Sequence, residues 1–412
     1  MLSPRIRFQL SLMMFLEFFI WGAWFVSLGT FLSADLKATG AESAKVFSTQ
    51  SWGAIIAPFI VGLIADRYFN AERILAVLHL AGAALLYGMY QSGAVLEFYL
   101  FTLAYMILYM PTIALANSVA FNQLKNPDQQ FSGIRVFGTL GWIVAGVLIS
   151  LVFGWDAEAS VAQGLLRNTL LMAAIASALL GIFSFTLPAT PPKIGKTEKV
   201  KLTEILGVSA LKLLTRRNYL IFFIASILIC IPLAFYYQLT HDFLTSKGVQ
   251  DVTALMSIGQ GTEVLFLLLL PYFFKRFGFK ATILAGMLAW TVRYLCFAFG
   301  DAGSGFFLLI SGLALHGICY DFFFVSGYIY TNQQAGEKYK SAAQGLVTLA
   351  TYGLGMLIGF EVAGAVKDAF QSTANVFDWQ NIWLIPSGIA FAVFLFFILF
   401  FKNESDKEKQ NT

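Results

Sequence analysis

Twelve stretches of this chain, each about twenty residues long and almost free of charge, limit what it can fold into. A helix rises about 1.5 Å per residue, so some twenty apolar residues match the roughly 30 Å hydrocarbon layer of a bilayer. The runs are 8–32, 47–65, 73–92, 97–117, 132–154, 165–187, 219–240, 253–274, 280–299, 304–330, 342–366 and 379–401. Only 12% of the residues are charged, against about 25% in an ordinary soluble domain. So little charge cannot cover a soluble surface, and lipid is the natural solvent for the excess. The expected fold class is an all-α integral membrane protein with twelve spanning helices. Pro58, Pro111, Pro232 and Pro271 fall inside runs, which membrane helices tolerate when neighbours satisfy the freed backbone groups. The first run is too long for a cleavable leader and is expected to span. Cys230, Cys296 and Cys319 lie in apolar runs without metal-ligand spacing and are expected to be small buried hydrophobes.

An even number of spans puts both termini on one side, and the Lys/Arg bias says which. One set of connections carries 20 of the 27 Lys and Arg, the opposite set carries five, and Arg135 and Arg293 lie within spans. Both termini are therefore expected in the cytoplasm, with the chain in the cytoplasmic (inner) membrane. The net charge of +4 follows from this topology and gives no reason to expect nucleic acid. The organisation expected is a six-helix half over 1–187, a cytoplasmic linker over 188–218 with Lys193, Lys196, Lys199 and Lys201, a second half over 219–401 and a tail over 402–412.

The halves repeat. Arg67 and Arg276 close equivalent turns, Ser132 and Ser341 open the fifth and eleventh runs, and Thr139 and Thr348 follow in register; each pair is 209 residues apart. Parallel six-helix repeats about an axis along the membrane normal are the major facilitator plan, with the substrate near the midplane.

Specific stretches carry a closer likeness. Gly62-x-x-x-Asp66-Arg67 followed by Arg73 resembles the loop between the second and third helices of major facilitator proteins. Phe15–Trp24, Gly133–Trp142, Gln260-Gly-Thr-Glu263, Tyr320-Asp321-Phe-Phe and Ser341-Ala-Ala-Gln344-Gly resemble one family of that superfamily, the nucleoside/proton symporters. The resemblance spans nearly the whole chain. It implies proton-coupled nucleoside uptake by alternating access. It also implies that Arg135, Thr139, Trp142, Gln260, Glu263, His316, Tyr320 and Asp321 bind nucleoside or handle the proton. The family's best-known members have polar side chains on the seventh helix at the places of Ala234 and Tyr237, which adds Tyr237 to the expected substrate set. They have Tyr at the place of His316 and Phe at those of Trp142 and Tyr320, so the preferred nucleoside stays open.

The residues themselves support such chemistry. An ionisable group within a span is expensive and marks function by default. Six stand out: Glu17, Arg135, Glu263, Arg293, Asp321 and Glu361. Desolvation and a nearby cation move a carboxyl's proton affinity in opposite directions, which lets it load and release a proton. The coupling proton is expected on Asp321 or Glu263. Static buried ion pairs are the competing reading, preferred for Arg293 and Glu361. Arg135, Thr139 and Trp142 share one stripe of the fifth helix, and Glu17, Trp21 and Trp24 repeat that spacing on the first. Aromatic rings can stack on a base for about 1–3 kcal/mol, while polar groups hold sugar hydroxyls and base edge. Trp21, Trp24, Tyr236, Tyr237 and Gln238 could equally be helix packing, and His79 and His241 are read as structural. Asp66, Arg67 and Arg73 are expected to form a gate that favours one conformation.

Two rivals share the fold: a proton-coupled sugar symporter and a drug-efflux antiporter. The fifth run, Gly138 to Gly146, lacks the Gly-Pro motif of efflux proteins. A membrane sensor or scaffold is a third reading, and no nucleophile–base pair, metal cluster or phosphate loop suggests an enzyme. The proton as coupling ion is the only cofactor expected. The expected partners are a nucleoside, the proton and lipid, with the chain acting as a monomer.

Overall fold

The computed structural model describes residues 3–60, 68–125, 130–192, 208–373 and 376–402, almost all of them helical. Asp66 and Arg67 of the expected gate lie outside the described residues, as do Lys193, Lys196, Lys199 and Lys201 of the expected linker. The helices are α1 (Pro4–Ala34), α2 (Gly40–Ile60), α3 (Ala71–Gln91), α4 (Val95–Gln123), α5 (Ser132–Val152) and α6 (Leu165–Ser184). After them come α7 (Arg217–Ser246), a continuous stretch Val252–Phe299, α10 (Phe306–Gly336), α11 (Ala342–Ala369) and α12 (Trp379–Phe400). The long stretch is 48 residues, too much for one crossing, and it breaks at Gly278, whose φ of 75° only glycine adopts freely. It is therefore two helices, α8 (252–277) and α9 (279–299). Ten helical stretches are long and apolar enough to span; with α2 and the break at Gly278 the described helices are consistent with twelve crossings.

The helix starts follow local chemistry that hydropathy understates. The run predicted from residue 47 begins at Gly40, because Thr39 and Glu42 form a reciprocal capping box. Thr39 N donates to Glu42 Oε2 at 2.9 Å and Glu42 N to Thr39 Oγ1 at 3.1 Å. The run predicted from residue 8 begins at Pro4, capped by Ser3 Oγ with proline at the first helical position. A short antiparallel pair, Gln371–Thr373 with Val376–Phe377, lies between α11 and α12 and was not expected. Leu268 and Leu399 are 76% and 73% exposed, positions that suit acyl chains and not water.

The chain divides into two compact units. The first is Met1–Val200 with Thr240–Ser257; the second is Lys201–Leu239 with Ile258–Thr412. In the first, α1 packs chiefly on α5, α3 on α6 and α4, and α2 on α4. The α1–α5 crossing brings backbones together: a Cβ on Gly141 would collide with the carbonyl of Phe15. In the second unit α7 and α11 meet in the same way, where a Cβ on Gly355 would lie 2.7 Å from the Ile227 carbonyl. The first-with-fifth pairing thus recurs, as expected of a repeat. Gly141→Val is expected to cost about 3 kcal/mol or more, because a carbonyl cannot step aside as a flexible side chain can. Loss of the monodisperse peak after detergent extraction, with Leu140→Val as the unaffected control, checks it.

Residues Thr240–Ser257 are tied into the first unit by hydrogen bonds. His241 Nδ1 meets Thr30 Oγ1 at 2.7 Å, and its Nε2 meets Thr253 Oγ1 at 2.9 Å. Asp156 Oδ2 accepts from Ser150 Oγ at 2.6 Å and Thr253 N at 2.9 Å. Just beyond α1, Asp35 faces Arg167 at 3.5 Å; burial raises its proton affinity above the ordinary carboxylate range, and Arg167 opposes that.

Candidate functional site

The residues singled out by sequence gather in two clusters, one in each unit. In the first, α5 presents Arg135, Thr139 and Trp142, all half-buried and on one stripe. The Arg135 guanidinium lies 3.9 Å over the Phe18 ring of α1, a cation–π contact that holds it without cancelling its charge. Trp142 meets Trp21 edge to face, with centroids 5.7 Å apart, and Trp21 meets Tyr109 in the same way. The Trp21 indole Nε1 has no hydrogen-bond partner among the described residues, a donor left open within an aromatic wall.

One turn before Trp21, Glu17 is completely buried and held on three sides. His79 Nε2 lies 2.8 Å from Oε2, and Thr112 Oγ1 donates to Oε1 at 2.6 Å. Tyr109 OH donates to the Glu17 carbonyl at 2.7 Å. His79 stands on α3 and its Nδ1 faces Ser177 Oγ of α6 at 3.3 Å, so four helices converge on one acid–base pair. The sequence marks Glu17 and His79 as ionisable groups in apolar runs; nothing in their spacing, 62 residues, couples them.

In the second unit Asp321 is buried on α10 at the start of a widened turn, Asp321–Val325, and its Oδ2 lacks a hydrogen-bond partner among the described residues. Such wide turns are frequent at functional positions. Another, Leu349–Gly355, carries Tyr352, whose hydroxyl lies 2.5 Å from that of Tyr320. Glu263, half-buried on α8, is within electrostatic reach of Asp321, Tyr237 and Tyr320. The helices come close here: a Cβ on Gly317 would sit 2.7 Å from the Glu263 amide. Gln260, one turn before Glu263, leaves its Oε1 without a partner among the described residues.

Arg293 of α9 joins this cluster. It is fully buried, forms no ion pair with a described carboxylate, and lies 3.6 Å over the Tyr236 ring. Its Nη1 is 2.9 Å from His316 Nδ1. Guanidinium only donates, so His316 Nδ1 must accept and the imidazole proton sits on Nε2. His316 stacks on Tyr236 at 5.2 Å, which fixes the ring plane. Nitrogen-15 spectra of histidine-labelled protein are expected to show His316 as the Nε2–H tautomer, and Arg293→Met to shift population to the Nδ1–H form. An unchanged spectrum would mean that another group sets the tautomer. Of the remaining expectations, Arg73 is exposed in the first turn of α3, beside a buried Glu72 that accepts from Thr190 N at 2.9 Å. Glu361 is exposed on α11.

Comparison with known proteins bears on the family and the fold. A family model described as nucleoside H+ symporter matches residues 5–406. The chain is similar to YegT of Escherichia coli K12, 41% identical, with 97% of this chain and 94% of that protein covered. It is similar to the xanthosine permease of the same organism, 36% identical with 98% of each covered. Among solved structures it is similar to the crystal structure of a point mutant of the nucleoside transporter NupG. The TM-score is 0.89 at 30% identity, over 96% of this chain and all of that one.

Proposed function

Because the chain belongs to the nucleoside H+ symporter family, we propose a division of labour between its two buried clusters. The protein is a major-facilitator-fold membrane transporter, not an enzyme, and it couples nucleoside uptake to proton entry. In the proposed division, α5 and α1 supply the nucleoside's main contacts: Trp142 and Trp21 for the base, Arg135 and Thr139 for its polar edge or the sugar hydroxyls. Gln260, Tyr237, His316 and Tyr320 are proposed as further substrate-binding residues. The His316 Nε2–H is a donor of fixed direction, suited to a base carbonyl or ring nitrogen.

Asp321 and Glu263 are the proposed proton carriers, and charge balance supports them. The second unit buries the Arg293 cation, and Tyr236 is within electrostatic reach of both Arg293 and Glu263. One proton on either carboxylate makes the set neutral, the state in which it is least costly in a low-dielectric interior. Asp66, Arg67 and Arg73 are proposed as a cytoplasmic gate. The Lys/Arg bias supports both termini in the cytoplasm, and the protein is proposed to work as a monomer in the inner membrane with the proton as coupling ion.

The observation that carries the substrate assignment is the family match over residues 5–406, with Arg135, Thr139 and Trp142 on one stripe. Calorimetry on the purified protein against nucleosides, free bases, nucleotides and hexoses tests it. Nucleosides should bind best and nucleotides poorly, because buried carboxylates repel phosphate. A hexose that binds more tightly than any nucleoside would overturn the assignment.

A further inference from the structure

The carboxylates of α8 and α10 are not the only buried acids. We propose that Glu17 and His79 form a second proton-binding site, in the six-helix half that carries Arg135, and that its occupancy is linked to substrate binding at the Trp21–Trp142 wall. The inference rests on the reading of the protein as a nucleoside/proton symporter.

Counting hydrogens shows why the pair is more than a static clasp. Ser177 has one hydroxyl hydrogen and donates it to the His79 carbonyl at 2.8 Å. Towards His79 Nδ1 its oxygen can therefore only accept, so Nδ1 carries a hydrogen. One proton must then occupy the 2.8 Å contact between Nε2 and Glu17 Oε2, on whichever atom, since two lone pairs would repel. In that state the pair is neutral overall. Oε1 is satisfied by the Thr112 hydroxyl at 2.6 Å.

Thr112 gives this site room for one proton more. Its hydroxyl also lies 2.5 Å from the Tyr109 carbonyl, so a single hydrogen has two acceptors within reach. If a proton arrives on Oε1, it can be donated to Thr112 Oγ1, while Thr112 turns its own hydrogen to Tyr109. Nε2–H keeps its bond to Oε2, and Nδ1–H keeps its bond to Ser177. Every hydrogen has an acceptor in both states, with one added proton and a net charge change of +1.

The charged and titratable groups around the pair come from each neighbouring helix. His79 faces it from α3, Tyr105 and Tyr109 from α4, and Ser177, uncharged, from α6. Arg135 of α5 acts electrostatically on Tyr109 and opposes the extra proton. The link to substrate is short. Tyr109 donates to the Glu17 carbonyl and packs against Trp21, which lies one turn beyond Glu17 and touches Trp142. A nucleoside that rearranges this wall or engages Arg135 changes the cost of the extra proton, and by linkage the proton changes nucleoside affinity equally.

Glu17→Gln is close to isosteric. Its amide oxygen accepts from Thr112 and its amide nitrogen donates to His79 Nε2, which reproduces the neutral state and removes only the extra proton. Infrared difference spectra of the substrate-free, full-length protein between about pH 5 and about pH 8 read protonated carboxyl groups directly. In a background carrying both Asp321→Asn and Glu263→Gln, which removes the carboxyls of the other proposed carriers, a carboxyl band should remain, and it should be absent when Glu17→Gln is added. Thr112→Val removes the hydroxyl that donates to Oε1 in one state and accepts from it in the other, and should displace the onset of that band. It reports on the site even if Glu17→Gln fails to fold. Calorimetry in buffers of different ionisation enthalpy should then show fewer protons taken up per nucleoside in Glu17→Gln than in wild type. Retention of that band when Glu17→Gln is added to the double variant, or of its onset when Thr112→Val is added, overturns the proposal. So does equal proton uptake by wild type and Glu17→Gln. Because the infrared arm contains no substrate, a failure of the nucleoside assignment would leave it readable.

Discussion

Arg135→Ala is expected to abolish concentrative nucleoside uptake while the protein remains folded. Arg135 is a permanent cation one turn into α5, on the stripe of Thr139 and Trp142 and half-buried. Its guanidinium lies over the face of Phe18 and forms no ion pair with a described carboxylate, so removal strands no carboxylate partner and costs little stability. What it removes is a charged donor at the proposed substrate position. Truncating one side of a buried, charge-assisted contact costs about 2–5 kcal/mol, or roughly 30-fold or more in affinity. Arg135→Lys should recover only a small part, because a point charge does not reproduce a planar fork. Uptake assays beside a thermal melt check both halves of the expectation. Normal uptake by well-folded Arg135→Ala would make Arg135 structural.

The second large effect concerns coupling. Asp321→Asn and Glu263→Gln, made separately, should include one variant that no longer accumulates substrate against its gradient. That variant should keep pH-independent exchange of labelled for unlabelled nucleoside, because exchange needs alternating access and not a change of protonation. Asp321 is the stronger candidate on geometry: it is buried, one oxygen lacks a partner among the described residues, and it opens a widened turn of α10. Glu263 is half-buried and within electrostatic reach of it. If both variants still accumulate substrate in response to a proton gradient, neither is the carrier and Glu17 becomes the first residue to test.

The bilayer's demands made most of the fold readable in advance. About twenty apolar residues per crossing is a requirement that hydropathy reports directly. It fails where polar residues are helical for local reasons, as at Gly40–Gln50, where the Thr39–Glu42 capping box starts α2 before the apolar run does. Ionisable residues within spans were likewise visible one by one, since each is costly there. Their partners were not. Glu17 finds His79 and Thr112, and Arg293 finds His316, across helices that only tertiary packing brings together. The wide turns at Asp321–Val325 and Leu349–Gly355 leave no trace in residue pattern either, because backbone hydrogen-bond slippage is set by packing.

The account's central claim is that proton entry drives a nucleoside inward through this protein. The most direct test is accumulation of labelled uridine and adenosine in proteoliposomes, with and without an inward proton gradient. With the gradient, at least one nucleoside should rise above its external concentration and fall back when a protonophore is added; without it, only equilibration is expected. Accumulation unaffected by the gradient, or no nucleoside entry by correctly inserted protein under either condition, would contradict the claim.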